Sequence, residues 1–388
     1  MIRLLAMIFI KDRNNQGDMH VRHAYGVLCG AFGVFLNLVL FGMKLMAGLI
    51  SGSVAIIADA INNLSDAGSS VISMVGFKMA GQKPDPEHPF GHGRIEYVTG
   101  LAVSMLIIVM GFELLKTSVS KIRNPQMPEF TPVVAGFLIV SIIIKLYMFY
   151  YNTKVGKKIK SAAMNATALD SFTDSIATLV VLACSLISYY TGVIIDGWCG
   201  LAVSLFVLSA GLSAAKDTID PLLGSKPSQE YVDAIEKFVT SYKDIIGIHD
   251  LVVHDYGPGR IMISLHAEVP ADRNMLDVHD TIDNIERKIN EKLGCSCVIH
   301  MDPVVTNDPA TDRMKRLCEL IAKSVDERFT IHDFRMVKGP SHTNLIFDVV
   351  APFDCRLSED AIRNTISAKI ESLPGNHFAV INVDRPYC

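Results

Sequence analysis

Four oxygen-bearing side chains stand inside two long apolar segments. Asn62 and Asp66 lie in AIIADAINNLSDAGSSVISMVGF, and Asp170 and Asp174 lie in NATALDSFTDSIATLVVLACSLISYY. Each pair is spaced i, i+4. On a helix that spacing puts both side chains on one face, roughly 6 Å apart, so each segment presents a two-pronged oxygen clamp. Ionisable groups inside spanning helices are costly and mark ion or proton paths. Two such clamps turned towards each other make a site for a hard divalent cation.

Two further sets of ligand-type side chains follow. In the loop GQKPDPEHPFGHGRIEY, Asp85, His88 and His92 can bind a metal at a membrane surface. Pro84, Pro86 and Pro89 keep that loop out of helix, and its glycines permit tight turns. Solvated loop histidines are the plainer alternative. The C-terminal half carries His249, His254, His266, His279, His300 and Asp302. In a strand, His300 and Asp302 point to one face, and His266 can join them from a neighbouring strand. Histidines on the surface of a sheet are the alternative there.

The elements that must position these groups divide the chain in two. It has 388 residues, half of them hydrophobic, and a mean hydropathy of +0.32. Long apolar runs fill the stretch from about Val21 to about Ala215. After Lys226 charges recur every few positions, as in a soluble domain. Six spans are expected: about Ala24 to Ile50, Val54 to Met79, Tyr97 to Leu115, Pro132 to Tyr151, Ala166 to Tyr190, and Val193 to Ala214. Each is near or above the roughly 20 residues that a bilayer core requires. The opening MIRLLAMIFI is followed at once by KDRNNQGD and has no small-residue cleavage site, so it reads as a short interfacial helix rather than a signal peptide.

Orientation follows the Lys/Arg bias. Lys11, Arg13 and Arg22 precede or open the first span. Lys83 and Arg94 lie between the second and third, and Lys154, Lys157, Lys158 and Lys160 between the fourth and fifth. An even number of spans puts these with the C-terminal half on one side. The segment with Lys116, Lys121 and Arg123 runs against the trend. Lys44 and Lys145, within spans, are expected to snorkel to the interface. Eight scattered cysteines with no CxxC pair fit free thiols in a reducing compartment. The termini are therefore expected in the cytoplasm. A net charge of -4 with no basic tail excludes an electrostatic footprint for nucleic acid.

The soluble half repeats itself. His249-Asp250 corresponds to His332-Asp333, Gly257-Pro258 to Gly339-Pro340 and Asp302 to Asp384, at offsets of 82 or 83 residues. Each copy reads α-β-β-α-β, a small sheet with helices on one face. In the second copy Asp348 replaces His266 and Asn382 replaces His300, and His342 and His377 lie elsewhere. A metal site in the first copy is therefore read as lost or altered in the second. The expected layout is an N-terminal arm at 1–20, a six-helix transmembrane domain at 21–220, an α+β domain at 225–305 and a second α+β repeat at 308–388.

GLISGSVAIIADAINNLSDAGSS, HPFGHGRIEYV, ALDSFTDSIATLVVL and IHDLVVHDYGP, in this order and spacing, resemble the cation diffusion facilitators over about Val21 to Val305. The resemblance implies a membrane α-helical exporter of divalent metals with a ferredoxin-like, metallochaperone-like cytoplasmic domain. It implies a homodimer in the cell membrane that exchanges cytosolic metal for protons, with no prosthetic group and no enzymatic activity. On it, Asn62, Asp66, Asp170 and Asp174 align with the transport site and Asp85, His88 and His92 with a loop site. His249, His266, His279, His300 and Asp302 align with a regulatory metal cluster at the dimer interface. Zinc-transporting members have a histidine in the transport quartet. None is present here, and the pattern resembles the manganese-exporting branch. An all-oxygen set gives up the preference that imidazole confers on zinc. Mn²⁺ is therefore the expected substrate, with Zn²⁺, Fe²⁺ and Co²⁺ as alternatives.

Crowded carboxylates in a low-dielectric site cannot all stay ionised without a cation. Metal entering from the cytoplasm would displace protons, and rocking of the bundle would release it outside. Small residues of the second span (Ala58, Ala60, Ala67, Gly68, Ser69, Ser70) permit close packing. An intramembrane aspartyl protease also needs two aspartates, but its Gly-x-Gly-Asp motif is absent. A membrane-anchored metal sensor accounts for the soluble histidines but not for acids on two spans.

Overall fold

In a computed structural model of the protein, residues 2–10, 19–51, 54–125, 132–306, 308–339 and 341–386 are described. Lys11 and Arg13, Gly52 and Ser53 of the SGS turn, Pro340 and the side chains of Ser51, Ala58 and Asp196 lie outside the described set. The chain forms two compact units, Met1–Ser225 with Tyr256–Gly259, and Lys226–Asp255 with Arg260–Cys388.

The first unit is helical. A short helix α1 (Ile2–Phe9) precedes six long ones: α2 (Met19–Ser51), α3 (Val54–Ala80), α4 (Ile95–Arg123), α5 (Pro132–Ile159), α6 (Ala162–Thr191) and α7 (Asp196–Leu223). Among the described residues, all but α3 have the length and apolarity of a membrane span. α3 is 27 residues long, and Asn62, Asn63, Ser65, Asp66, Ser69 and Ser70 dilute its apolar character. Pro132 opens α5 at a position where its missing N–H costs nothing. Ser161 caps α6 by accepting from the Met164 N–H at 3.1 Å, and left-handed Gly192 ends it.

Three of the four lysines expected in a loop between the fourth and fifth spans lie elsewhere. Lys154, Lys157 and Lys158 belong to α5, and only Lys160 and Ser161 separate α5 from α6. Lysine is a good helix former, and basic groups suit a helix C-terminus, so the helix continues through them. Lys116, Lys121 and Arg123 likewise extend α4. Arg22 is no free basic group of the arm. It is 5% exposed and binds Glu96 through both Nη atoms, the Nη2–Oε1 contact being 2.7 Å, while its Nε donates to the Ile159 carbonyl.

α2 packs along α3, α4 along α7 and α5 along α6. Glycines on α2 set the first of these approaches. A Cβ on Gly26 would fall 2.2 Å from the Phe77 ring, and one on Gly30 would fall 2.9 Å from the Met74 Cα. Phe32, Phe77, Met148, Tyr151, Val155, Ile159 and Met164 form one buried cluster, to which Ala6 of α1 and the neighbouring Ile10 contribute. Val103, Ile107, Ala166, Val203 and Val207 form another.

The second unit contains the same order twice. Helix α8 (Gln229–Val239), strands β1 (Gly247–Asp255) and β2 (Ile261–Pro270), helix α9 (Met275–Leu293) and strand β3 (Cys295–Val304) make the first repeat. Helix α10 (Pro309–Lys323), strands β4 (Thr330–Lys338) and β5 (Thr343–Val350), helix α11 (Glu359–Glu371) and strand β6 (His377–Asp384) make the second. Each sheet has three strands, the first pair antiparallel and the second parallel. Each first strand carries an irregularity, after His249 and after His332. There Asp250 and Asp333 take positive φ of 49° and 51°, a region that aspartate enters far less readily than glycine. Separate cores lie under the two sheets, built on Ile263, Leu265, Ile282 and Ile285 in the first and on Phe329, Phe347, Ile362 and Ile366 in the second.

Candidate metal sites

α3 and α6 present their acids to one place. Asp66, Asp170 and Asp174 each offer an oxygen, all within 4.8 Å of one another. Asp66 and Asp170 are each 5% exposed. Their cavity, of about 500 Å³, is also lined by Asn62, Lys44, Glu113 and Lys145. Asn62, one turn before Asp66, is itself exposed but borders the same space. Ser69 donates to Asp170 Oδ2 at 3.3 Å. Asp66 Oδ1 is buried without a hydrogen bond.

Lys145 is the residue that sequence reasoning misplaced. Its ammonium is 3% exposed and donates to Asp66 Oδ2 and Asp174 Oδ2, both at 2.7 Å. It does not snorkel, because two carboxylates inside the bundle offer it a better-paired position than the interface. Lys44, at 3% exposure, is also buried. Among the described residues of the cavity, four carboxylates stand against two ammonium groups. The formal excess of two negative charges matches a divalent cation.

The loop residues also converge. His88 Nδ1 lies 3.2 Å from Asp85 Oδ1, and His92 Nε2 lies 3.3 Å from Asp85 Oδ2. Ligand atoms around an ion at 2.1 Å sit about 3.4 Å apart, so these spacings need little adjustment. Asp85 Oδ1 accepts from the backbone N–H of Glu87 at 3.1 Å and of His88 at 2.6 Å, which shapes the turn. The His88 N–H, together with the nearby imidazoles, holds the Asp85 carboxyl below its usual range. His92 Nδ1 is buried without a partner.

In the first soluble repeat the register lines up His249, His266 and His300 across three strands. Asp302 collects them. Its carboxylate lies 3.2 Å from His249 Nε2, 2.8 Å from His266 Nδ1 and 3.4 Å from His300 Nε2. His249, His266 and Asp302 satisfy the same 4.8 Å convergence. Burial opposes charge on His249, but hydrogen bonding and charge from Asp250, with Asp302 beyond, raise its pKa overall. His279 does not join within this chain. Its neighbour Val278 faces the core with Ile282, Ile285 and Ile289, which turns His279 outward to pair with Asp283 at 3.5 Å. A further set, not foreseen from sequence, is Asp250, His332, Asp348 and Asp384, again within 4.8 Å. Burial, and then the charge of Asp384, pushes the Asp348 carboxyl up.

Long apolar helices around a buried carboxylate cluster, followed by a small α+β unit, define a polytopic membrane carrier for cations. The family profile of the cation efflux transmembrane domain matches residues 31–223, and that of the cation efflux protein cytoplasmic domain matches residues 227–304. An uncharacterised transporter of Methanocaldococcus jannaschii is 30% identical over 261 residues, which cover 65% of this chain and 92% of that protein. The cation-efflux pumps FieF of Salmonella newport and Salmonella heidelberg are each 27% identical over 266 residues, 67% of this chain and 87% of the pump. The chain belongs to the cation efflux family, the cation diffusion facilitators, and is a multi-pass membrane transporter rather than an enzyme.

Proposed function

We propose that the protein exports divalent metal from the cytoplasm in exchange for protons, with Mn²⁺ as preferred substrate and Asn62, Asp66, Asp170 and Asp174 as its transport ligands. The observation that carries this reading is the convergence of Asp66, Asp170 and Asp174 in a buried cavity, with no imidazole among the described residues that line it. Oxygen ligands suit a harder ion. The kinship with proteins named cation-efflux pumps supports the direction of transport.

Lys145 is the counter-cation of the substrate-free site. Its ammonium holds Asp66 and Asp174, and an arriving metal takes over those oxygens and displaces it. Asn62 contributes a neutral carbonyl and limits the charge. Protons reload the carboxylates on the far side. The lysines on the last turns of α5 favour a cytoplasmic position for that end, and with it for both termini, in the cell membrane. Asp85, His88 and His92 serve as a loop site. His249, His266, His300 and Asp302 serve as a regulatory cluster, which His279 can reach only from another copy in a homodimer.

Proteoliposomes with an imposed pH gradient, assayed with Mn²⁺, Zn²⁺, Fe²⁺ and Co²⁺, test the proposal. Gradient-dependent Mn²⁺ flux is expected. Zinc flux without manganese flux overturns the Mn²⁺ assignment, and flux that persists in both Asp66→Ala and Asp170→Ala overturns the site.

A further inference from the structure

The second soluble repeat lacks the histidine row of the first. Its register places His332 opposite Asp348, and Asp348 opposite Asn382, where the first repeat has three histidines. Asn382 donates to Asp384 Oδ1 at 2.8 Å and so orients that carboxylate. His332 Nε2 lies 3.8 Å from Asp384 Oδ2. The fourth group comes from the other repeat: Asp250 Oδ1 is 3.6 Å from His332 Nε2. One atom from each of Asp250, His332, Asp348 and Asp384 lies within 4.8 Å of all the others.

One further observation marks this as a ligand position rather than a cluster of acids. Both ring nitrogens of His332, whose side chain is 12% exposed, are buried without a hydrogen-bond partner. The His249 ring lies 4.5 Å from it but turns its Nε2 to Asp302 at 3.2 Å. Buried polar atoms of native proteins seldom go unpaired, and a bound ion is one partner that pairs them.

The repeats use their shared irregularity differently. Asp250 and Asp333 hold equivalent left-handed positions. Asp333 is bound by Arg335 of its own strand, whereas Asp250 keeps one oxygen on His249 of its own strand at 3.3 Å and turns the other to His332 of the second repeat.

We propose that the two soluble repeats bind a divalent cation between them, held by Asp250 of the first and by His332, Asp348 and Asp384 of the second. Three carboxylates and one imidazole make a harder ligand set than the histidine-rich cluster of the first repeat, so the ion is of the Mn²⁺ type. Within one chain it clamps the repeats together.

The test counts ions and does not depend on flux, so failure of the transport reading leaves it intact. Full-length protein in nanodiscs is dialysed against micromolar Mn²⁺ or Zn²⁺, and bound metal per chain is measured by mass spectrometry. Asp384→Asn and His332→Gln are each expected to lose one Mn²⁺ per chain, and Asp66→Asn is expected to keep that ion. Asp250→Asn is expected to weaken the same ion by about 10-fold or more. Unchanged stoichiometry in Asp384→Asn and His332→Gln, or binding that appears only at millimolar metal, overturns the site. Full affinity in Asp250→Asn overturns the bridging of the repeats. Near-isosteric Asp384→Asn, with its circular dichroism matched to wild type, carries the test if His332→Gln does not fold.

Discussion

The carboxylate cluster of α3 and α6 and the histidine cluster of the first soluble repeat each bring three ligand-type groups within 4.8 Å, yet they are balanced in opposite ways. Asp66, Asp170 and Asp174 are all acids in a bundle interior, and Lys145 sits between two of them at 2.7 Å. His249 and His266 need no such cation, because imidazole binds metal in its neutral form, and Asp302, with Asp250 beside His249, supplies the negative charge. Burying several like charges in a low-dielectric interior is expensive unless they are paired. A membrane site made of oxygens must therefore carry its own positive charge, and a substrate cation must displace it. A soluble imidazole site can wait without one. On the roles proposed for them, the first design suits passage of an ion and the second suits retention.

The largest expected effect separates the two clusters by function. Asp170→Asn removes a ligand from the membrane cluster and leaves the soluble one untouched. Loss of a metal ligand's hydrogen-bonding support alone costs about 10–100-fold in affinity or activity, and loss of the ligand itself should cost at least about 100-fold in flux. Metal counted on the soluble clusters should stay at the wild-type value. Proportional loss of both would break the comparison.

Lys145→Met tests the charge balance directly. It leaves Asp66 and Asp174 buried without their counter-cation, and breaking a buried pair costs about 3–5 kcal/mol. The metal-free variant should melt several degrees lower in detergent, and Mn²⁺ should restore more stability than it adds to wild type. Glu96→Gln is the control. Arg22 and Glu96 form a pair of comparable burial, held also by the Ile159 carbonyl, and lie outside the carboxylate cavity. The same loss of about 3–5 kcal/mol is expected, without rescue by Mn²⁺. Rescue of both variants would show that metal stabilises the bundle in general and that Lys145 is no special counter-cation.

How much of this was legible in the sequence varied with the range of the interaction. The acids of the two clamps were legible because i, i+4 spacing is local: Asp66, Asp170 and Asp174 converge, while Asn62 is exposed at the edge of the same cavity. The histidine row was legible because strand alternation fixes which side chains share a face, and the register then aligns His249, His266 and His300. Lys145 was not legible. α5 is apolar on nearly every side, so its sequence gives neither the depth nor the direction of that ammonium. The reach of Asp250 to His332 was hidden for a different reason: it joins residues 82 apart through an irregularity in a strand, and no periodicity encodes that. The sequence points to small residues of the second span for close packing, while close approaches of α2 to α3 fall at Gly26 and Gly30 of α2. Spaced four apart, these two were the available signal.

The smallest expected effect falls on His279, where alignment and geometry disagree. Family resemblance places it with His249, His266, His300 and Asp302. In this chain it stands on the outer face of α9, 58% exposed, with Asp283 as its partner. Exposed substitutions away from special features change stability by no more than about 0.5 kcal/mol, and His279→Ala should do no more in a thermal melt. It should also leave the metal count of the soluble unit unchanged while the protein is monomeric. If the count falls only under conditions where a dimer forms, the histidine is a ligand delivered by a second copy. If it falls in the monomer, α9 must turn its face, and the sharp contrast between a self-contained soluble cluster and a self-balanced membrane cluster is lost.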